Sequence, residues 1–282
     1  MLNLTIVVPV KNEATNLWAC LDAIGAEFAE RVVVIDSNSN DSTCQIARDW
    51  GAEVFHFKWN GLFPKKRNWF LQEHTPTTRW VMFLDADEFL SPAFKQELAH
   101  TLPQSELSGY WLRYSVYFLG KELKYGYPLD KLALFRVGTA EYERVEEDQW
   151  SSLDMEIHEH PIVQGLVGKI KSKIDHRDMR SVSHYVSKHN EYSSWEARRF
   201  VAQPLANAKQ DFTLKQRVKY ALVESPFAGI VYFCGAYIAM RGFLDGSRGL
   251  AFALLKASYF TQIYCKIREL RAKDESNGQD LS

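Results

Sequence analysis

The sequence predicts an α/β protein: a mostly parallel sheet with helices on both faces, followed by an amphipathic helical C-terminal region. Three observations carry this expectation. Apolar, β-prone runs alternate with helix-period segments over the first hundred residues, the pattern of strands joined by helical crossovers. The strand runs are nearly continuous in Val, Ile and Leu, as strands covered on both faces require. From Ser181 onward the strand signal gives way to helical periodicity.

Taken in order, "LTIVVPV" (4–10) reads as the first strand, and "NLWACLDAIGAEF" (16–28) as a helix with apolar residues at Leu17, Cys20, Leu21, Ile24 and Phe28. "RVVVIDS" (31–37) is the second strand, and "STCQIARDW" (42–50) a short helix behind an Asp41 cap. "AEVFHF" (52–57) is a third strand, "KKRNWFLQEH" (65–74) a helix, and "RWVMFLD" (79–85) a fourth strand. Ser91 caps a helix with Pro92 at its first position. Residues 110–175, with "YWLRYSVYFLG" and "LALFRV" around the turn "YGYP", read as mixed strands and loops completing the sheet. The expected division is a sheet domain over 1–180, a helical region over 181–273 and a disordered tail over 274–282.

Bulk properties exclude several classes. The chain has 282 residues, 46% of them hydrophobic, which is ample for a core. A formal net charge of -1 gives no global electrostatic argument for nucleic acid, and none is expected as a partner. Cys20, Cys44, Cys234 and Cys265 are scattered without a CxxC pair, so neither a zinc knuckle nor a disulfide framework is implied, and a reduced cytosolic compartment is expected. "MLNLTIVVPVKNE" lacks a basic region before its apolar run and reads as a strand, not a signal peptide. "FAGIVYFCGAYIAM" (227–240) falls short of the ~20 apolar residues of a spanning helix.

In an open α/β sheet, ligands bind beyond the carboxyl ends of the strands. The exits of the first, second and fourth strands carry carboxylates: Glu13, Asp36, and the group Asp85, Asp87 and Glu88. In extended backbone Asp85 and Asp87 share a face. Adjacent carboxylates repel unless a cation sits beside them, and Mg²⁺ and Mn²⁺ prefer oxygen ligands while keeping substrate phosphates in their shell. A metal–diphosphate site follows; the alternative is a solvated acidic turn capping the next helix through Glu88. Asp36 is either a turn residue or the acceptor of a nucleobase N–H. "KKRN" (65–68) is either a solvated helix start or, through Lys66 and Asn68, a holder of the nucleotide.

"IVVPVKNEATNL", "VVVIDSNSNDST" and "VMFLDADEF" together resemble the family-2 glycosyltransferases of GT-A (Rossmann-like) fold, over residues 3–105. "WNGLFPKKRN", "YGYPLDKLALFRVG", "IHEHP", "KIDHRD", "HYVSKHNEYSSWEA" and "RGFLDGSRG" extend the resemblance to a bacterial subgroup that includes lipopolysaccharide-core β-glucosyltransferases and related cell-surface polysaccharide enzymes. The resemblance makes residues 1–180 a nucleotide-sugar-binding and catalytic domain. It implies that Pro9, Val10, Glu13 and Asp36 hold the base and ribose, and that Asp85 and Asp87 carry Mg²⁺ or Mn²⁺. The subgroup often has an Arg where Ala133 stands, which implies either that Arg136 alone takes a phosphate-facing role or that the donor pocket differs.

Inverting transfer needs charge stabilisation at the leaving diphosphate and a base for the attacking hydroxyl. Asp85 and Asp87 answer the first need. Glu159, Asp130 and Glu88 are candidates for the second, with Glu159 preferred because the subgroup has a His-Glu pair there. If "IHEHP" is extended, its histidines point one way and Glu159 the other, so that His158 reaches the metal or diphosphate while Glu159 faces the acceptor. His160, His176 and His189 read as scaffold, and Tyr192 and Trp195 as helix packing. The implied partners are a UDP-hexose donor and a glycan or lipid-linked acceptor in lipopolysaccharide or exopolysaccharide synthesis. Basic residues recurring through 214–273 suggest peripheral contact with the membrane, at the cytoplasmic face of the inner membrane, against the alternative of an ordinary helical cap. Two rival functions are a sugar nucleotidyltransferase, which would prefer a glycine-rich loop where "PVKNEATN" has no glycine, and a catalytically silent sugar-binding or assembly protein, which would not need Asp-x-Asp.

Overall fold

The computed structural model describes residues 1–144, 153–156, 160–178, 180–202 and 222–279. The chain divides into two compact units, Met1–Tyr117 with Pro128–Met179, and Phe118–Tyr127 with Arg180–Ser282.

The first unit runs β1 (Leu2–Val10), α1 (Leu17–Ile24), β2 (Ala29–Asp36), α2 (Thr43–Trp50), β3 (Glu53–His56), α3 (Lys66–Glu73), β4 (Trp80–Phe83), β5 (Glu88–Leu90), α4 (Pro92–Thr101) and β6 (Gly109–Phe118). After β7 (Lys121–Leu123), which belongs to the second unit, it continues with β8 (Leu129–Arg136), β9 (Ala140–Tyr142), β10 (Pro161–Val163) and β11 (Val167–His176). The sheet order is β3-β2-β1-β4-β8-β6-β11-β5, with β9 and β10 forming a separate pair. β1 to β4 are parallel, as the alternating pattern predicts. β8 runs antiparallel to both of its neighbours, and β5 antiparallel to β11.

β1 is buried without alternation from Leu4 to Val10 because both of its faces are covered. Leu4, Ile6, Val8 and Val10 enter one core with Leu17, Leu21, Phe94 and Leu98 of α1 and α4. Val7 enters the other with Val33, Ile35, Phe57, Phe70 and Phe83. Each such aliphatic contributes about 1.5–3 kcal/mol relative to exposure. α1 stops at Ile24, short of the expected Phe28, because Gly25 turns the chain at φ 79°. Ser91 Oγ accepts from Phe94 N–H at 3.2 Å, the cap that Ser91-Pro92 announces.

One expectation fails locally. Asp85 and Asp87 do not lie along an extended strand. β4 ends at Phe83, and Glu88 N–H donates to the Asp85 carbonyl at 2.9 Å. This turn aims the two carboxylates at different partners. Glu88 then opens β5 instead of capping a helix.

The second unit contains α5 (Val182–Ala202), α6 (Ala228–Phe233), a π-helical turn (Cys234–Ala239), a 3-10 turn (Gly242–Asp245) and α7 (Gly246–Gln279). Its core includes Ala197, Phe200, Tyr259, Ile263 and Ile267. α7 extends through 274–279, which composition alone assigns to a disordered tail. Within "GFLDGSRG", Asp245 accepts from Lys124 N–H (3.1 Å) and Tyr125 N–H (2.9 Å), and Arg248 donates to the Leu119 carbonyl (3.3 Å), so the two serve main chain. A Cβ on Gly126 would meet Gly242 Cα at 2.9 Å, so only glycine allows this approach. His189 stacks on Tyr185 at 3.8 Å and Trp195 is buried, both in packing roles. No helix among the described residues is long and apolar enough to cross a membrane.

Candidate active site

Parallel register brings strand exits level. Val10 pairs with Asp36, and Asp36 with His56. The loops after β1 and β2 are tied together by their own polar residues. Asn12 N–H donates to Ser39 Oγ (2.8 Å), Asn40 N–H to Asn12 Oδ1 (2.9 Å) and Glu13 N–H to Thr43 Oγ1 (2.8 Å). Asn12 and Asn38 take positive φ of 56° and 54°, which asparagine tolerates better than most residues. This explains why "KNEAT" and "NSNDST" are so rich in short polar side chains.

Asp36 is 1% exposed and accepts Ser39 N–H through both oxygens at 3.2 Å. Burial pushes its carboxyl up, but hydrogen bonds from Ser39 and Cys44 outweigh that and hold it below the usual range. Burial, then Asp36, push the Cys44 thiol up to about 11. Lys66 is 2% exposed, and its Nζ donates to the Val10 carbonyl at 3.0 Å. Burial lowers it to about 8, with the Asp154 charge opposing.

The acidic turn is held by two cations. Asp85 Oδ1 accepts from Arg67 Nη2 at 2.8 Å, and Asp85 Oδ2 from Lys131 Nζ at 2.8 Å. Lys131 Nζ also donates to Glu88 Oε1 at 2.5 Å, while Glu88 Oε2 accepts from Asp85 N–H at 3.0 Å. Burial raises the Asp85 carboxyl, yet Lys131 and Arg67 together hold it well below the carboxylate range. For Glu88, 1% exposed, burial wins and the carboxyl is raised. Asp87 faces elsewhere: its Oδ2 lies 3.4 Å from His176 Nε2. Burial opposes the imidazolium, but the Asp87 charge and hydrogen bond raise His176 above its ordinary value. His176 arrives there because β11 ends at the same edge, paired with Glu88 across β5.

Several expected site residues are engaged otherwise. Asn68 is fully buried, donating to the Tyr142 carbonyl (2.9 Å) and accepting Tyr142 N–H (2.8 Å), and so fixes main chain instead of facing a ligand. Lys66 is spent on Val10. Arg136 sits at the opposite edge: it is the register partner of Trp80, the first residue of β4, and its Nε donates to the Leu107 carbonyl at 2.8 Å. The direction of β8 thus places Arg136 away from the edge where Asp36 ends its strand. Asp130 accepts from Lys169 Nζ at 2.5 Å. His158 and Glu159 lie outside the described residues. Their flanks are fixed: Glu156 caps α3, accepting Arg67 N–H (2.9 Å) and Asn68 N–H (3.0 Å), and the His160 carbonyl accepts Glu143 N–H (3.0 Å).

Arg67, Lys131 and His176 are the residues that sequence reasoning passed over for the site. "KKRN" and "KIDHRD" contain two of the three, but which side chain faces the edge depends on helix phase and strand register. A divalent ion fits Asp87 and His176. Neighbouring ligands of an octahedral Mg²⁺ or Mn²⁺ at about 2.1 Å stand roughly 3 Å apart, close to the 3.4 Å between these atoms. Of the expected pair of aspartates, Asp87 faces His176 while both Asp85 oxygens contact cations.

Residues 5–149 match the family model described as Glycosyl transferase family 2. An uncharacterized glycosyltransferase of Rickettsia typhi is 23% identical over 287 residues, which cover 98% of this chain and 90% of its own. The SPbeta prophage-derived glycosyltransferase SunS of Bacillus subtilis is 32% identical over 98 residues, 34% of this chain and 22% of its own. Among solved structures, the mannosyltransferase PcManGT from Pyrobaculum calidifontis, in complex with GDP-Man and Mn²⁺, matches over 94% of this chain and 86% of its own, with a TM-score of 0.51 and 15% identity. That likeness is one of fold, a GT-A-like α/β arrangement with C-terminal helices. Glucosyl-3-phosphoglycerate synthase from Mycobacterium tuberculosis matches over 42% of this chain with a TM-score of 0.32 and 21% identity, and the chain covers 44% of that protein.

Proposed function

Since this chain belongs to glycosyl transferase family 2, we propose that it is a metal-dependent inverting hexosyltransferase. It uses a nucleotide sugar, UDP-glucose or similar, and a lipid-linked or lipopolysaccharide or exopolysaccharide acceptor. The observation that carries this reading is the Asp87–His176 pair, 3.4 Å apart, on the edge where Asp36 also ends its strand. Asp87 and His176 would hold Mg²⁺ or Mn²⁺, which supplies positive charge against the leaving diphosphate. Asp36, kept ionised by its hydrogen bonds, accepts a nucleobase N–H; Pro9, Val10 and Glu13 border it. Arg67 and Lys131 hold Asp85 and add fixed positive charge beside the metal pair.

The attacking hydroxyl passes its proton to a carboxylate. Glu88 is buried under Lys131, and Asp130 is paired with Lys169. Glu159 remains as the base. The test incubates the full chain with UDP-glucose or GDP-mannose, Mn²⁺ and a lipid-linked glycan extract, and follows nucleotide release. Glu159→Gln is expected to lose transfer by about 10²–10⁴-fold with donor affinity retained. Wild-type transfer in that variant would remove Glu159 from the mechanism.

Phe227, Ile230, Ile238, Phe243 and Leu244 are exposed in the second unit, with Arg241 and Arg248 near them in sequence. This combination supports peripheral contact with an anionic membrane, as at the cytoplasmic face of an inner membrane. Co-sedimentation with phosphatidylglycerol vesicles is expected, weakened by salt and by Phe243→Ser with Leu244→Ser. Equal recovery in the supernatant with and without vesicles would reject the contact.

A further inference from the structure

Asp36, Cys44 and His56 come together at the carboxyl edge, on β2, α2 and β3, two strands away from the Asp87 turn that follows β4. One ligand atom from each, a carboxylate oxygen, the thiol sulfur and an imidazole nitrogen, lies within 4.8 Å of the other two. Asp36 Oδ2 and His56 Nδ1 are 3.5 Å apart, and the Cys44 thiol donates to Asp36. Zinc bonds of about 2.0–2.3 Å set tetrahedral ligand atoms roughly 3.5 Å apart. The set is therefore near coordination spacing, and rotation of His56, 57% exposed, closes the remainder.

The placement is built from rigid parts. Asp36 and His56 are the last residues of paired strands, and Cys44 stands in the first turn of α2. Asp36 is buried, Cys44 half-buried and His56 exposed, which leaves one side open for an ion and a fourth ligand. Thiolate with imidazole and carboxylate selects Zn²⁺ and ions of like softness over Mg²⁺ and Mn²⁺.

We propose that Asp36, Cys44 and His56 form a second metal site, for Zn²⁺ or a similarly soft divalent ion. Binding breaks the Cys44 S–H bond and forms a metal–sulfur bond, and the proton leaves to solvent. Asp36 exchanges its hydrogen bond from the thiol for a bond to the metal. His56 Nε2 lies 3.2 Å from Arg48 Nη2, so Arg48 donates and Nδ1 carries the hydrogen. Ligation through Nδ1 moves that hydrogen to Nε2 and turns the exposed Arg48 aside. Because Asp36 cannot serve the ion and a nucleobase at once, the soft ion excludes the nucleotide; this consequence rests on the proposed function.

The test titrates the full chain with Co²⁺ in excess Mg²⁺ and reads thiolate-to-cobalt charge transfer in the near ultraviolet. One equivalent is expected to develop the band. Cys44→Ser, which keeps a donor for Asp36, is expected to lose it, and His56→Gln to weaken Co²⁺ at least tenfold. Exposed Cys234 and Cys265 make these variants necessary: a band that survives Cys44→Ser overturns the site. So does no band in a wild-type chain that binds UDP, measured by calorimetry. UDP is expected to bleach the band. A band that UDP leaves intact while binding keeps the metal site and removes Asp36 from the nucleotide reading. Zn²⁺ inhibition of UDP binding that excess Mn²⁺ does not relieve supports both.

Discussion

Asp87→Asn is expected to abolish efficient sugar transfer, with kcat lower by about a thousandfold, or ~4 kcal/mol in the barrier. The substitution preserves volume and one oxygen, so the loss comes from charge. Asp87 is 5% exposed and has His176 Nε2 3.4 Å away. On the proposed function, the pair without its carboxylate would no longer hold a divalent ion against a developing diphosphate charge. His176→Ala is expected to act in the same direction, and Mn²⁺ affinity, read by electron paramagnetic resonance, falls in both variants. Wild-type Mn²⁺ affinity in a folded Asp87→Asn chain would sink the metal assignment. Retained release with lost Mn²⁺ affinity would keep the assignment and separate catalysis from the metal.

Lys131→Met is expected to cost stability first and activity second. One ammonium group serves two carboxylates, Asp85 at 2.8 Å and Glu88 at 2.5 Å, and Glu88 is 1% exposed. Methionine fills much of the space but leaves both acids less compensated. Breaking a buried pair by removing one partner costs roughly 3–5 kcal/mol, and the partial exposure of Lys131 argues for the lower end, about 3 kcal/mol. The pH dependence has a definite sign. In the variant, the folded-state pKa of Glu88 rises further above its unfolded value, so the penalty is full above that folded value and shrinks as falling pH protonates the acid. Urea unfolding at several pH values checks this. A loss of stability independent of pH would mean that Lys131 acts through its ammonium over the Tyr114 ring, with Nζ 5.0 Å from the centroid.

The strand exits were legible because apolar runs ending in a carboxylate need only local information. Asp36 and the "DADE" turn were found in this way. Partner choice was not legible, because it depends on direction and register between distant segments. Arg136 follows an aliphatic run much as Asp36 does, yet β8 runs backward, so its start and not its end lies at the carboxyl edge. Lys131, near that start, is instead the basic residue of β8 that reaches the acidic turn. In "KKRN" three polar residues, Lys66, Arg67 and Asn68, enter one helix, and successive residues point about 100° apart. Arg67 faces Asp85, Lys66 reaches Val10, and Asn68 enters the core. His176 carries the same signal as Asp36, a polar residue at a strand exit, but β11 reaches that edge only through pairing with β6 and β5.

Arg67 has two loyalties. Its main-chain N–H is capped by Glu156, its guanidinium grips Asp85, and Nη1 also donates to the Glu156 carbonyl. A residue just upstream of the "IHEHP" stretch and a residue of the acidic turn thus share one intermediary. Energy that a ligand spends on reshaping either end is felt at the other, by the reciprocity that governs any pair of linked equilibria. The affinity at one end, and not only the contacts made there, becomes a property that this single arginine helps to set.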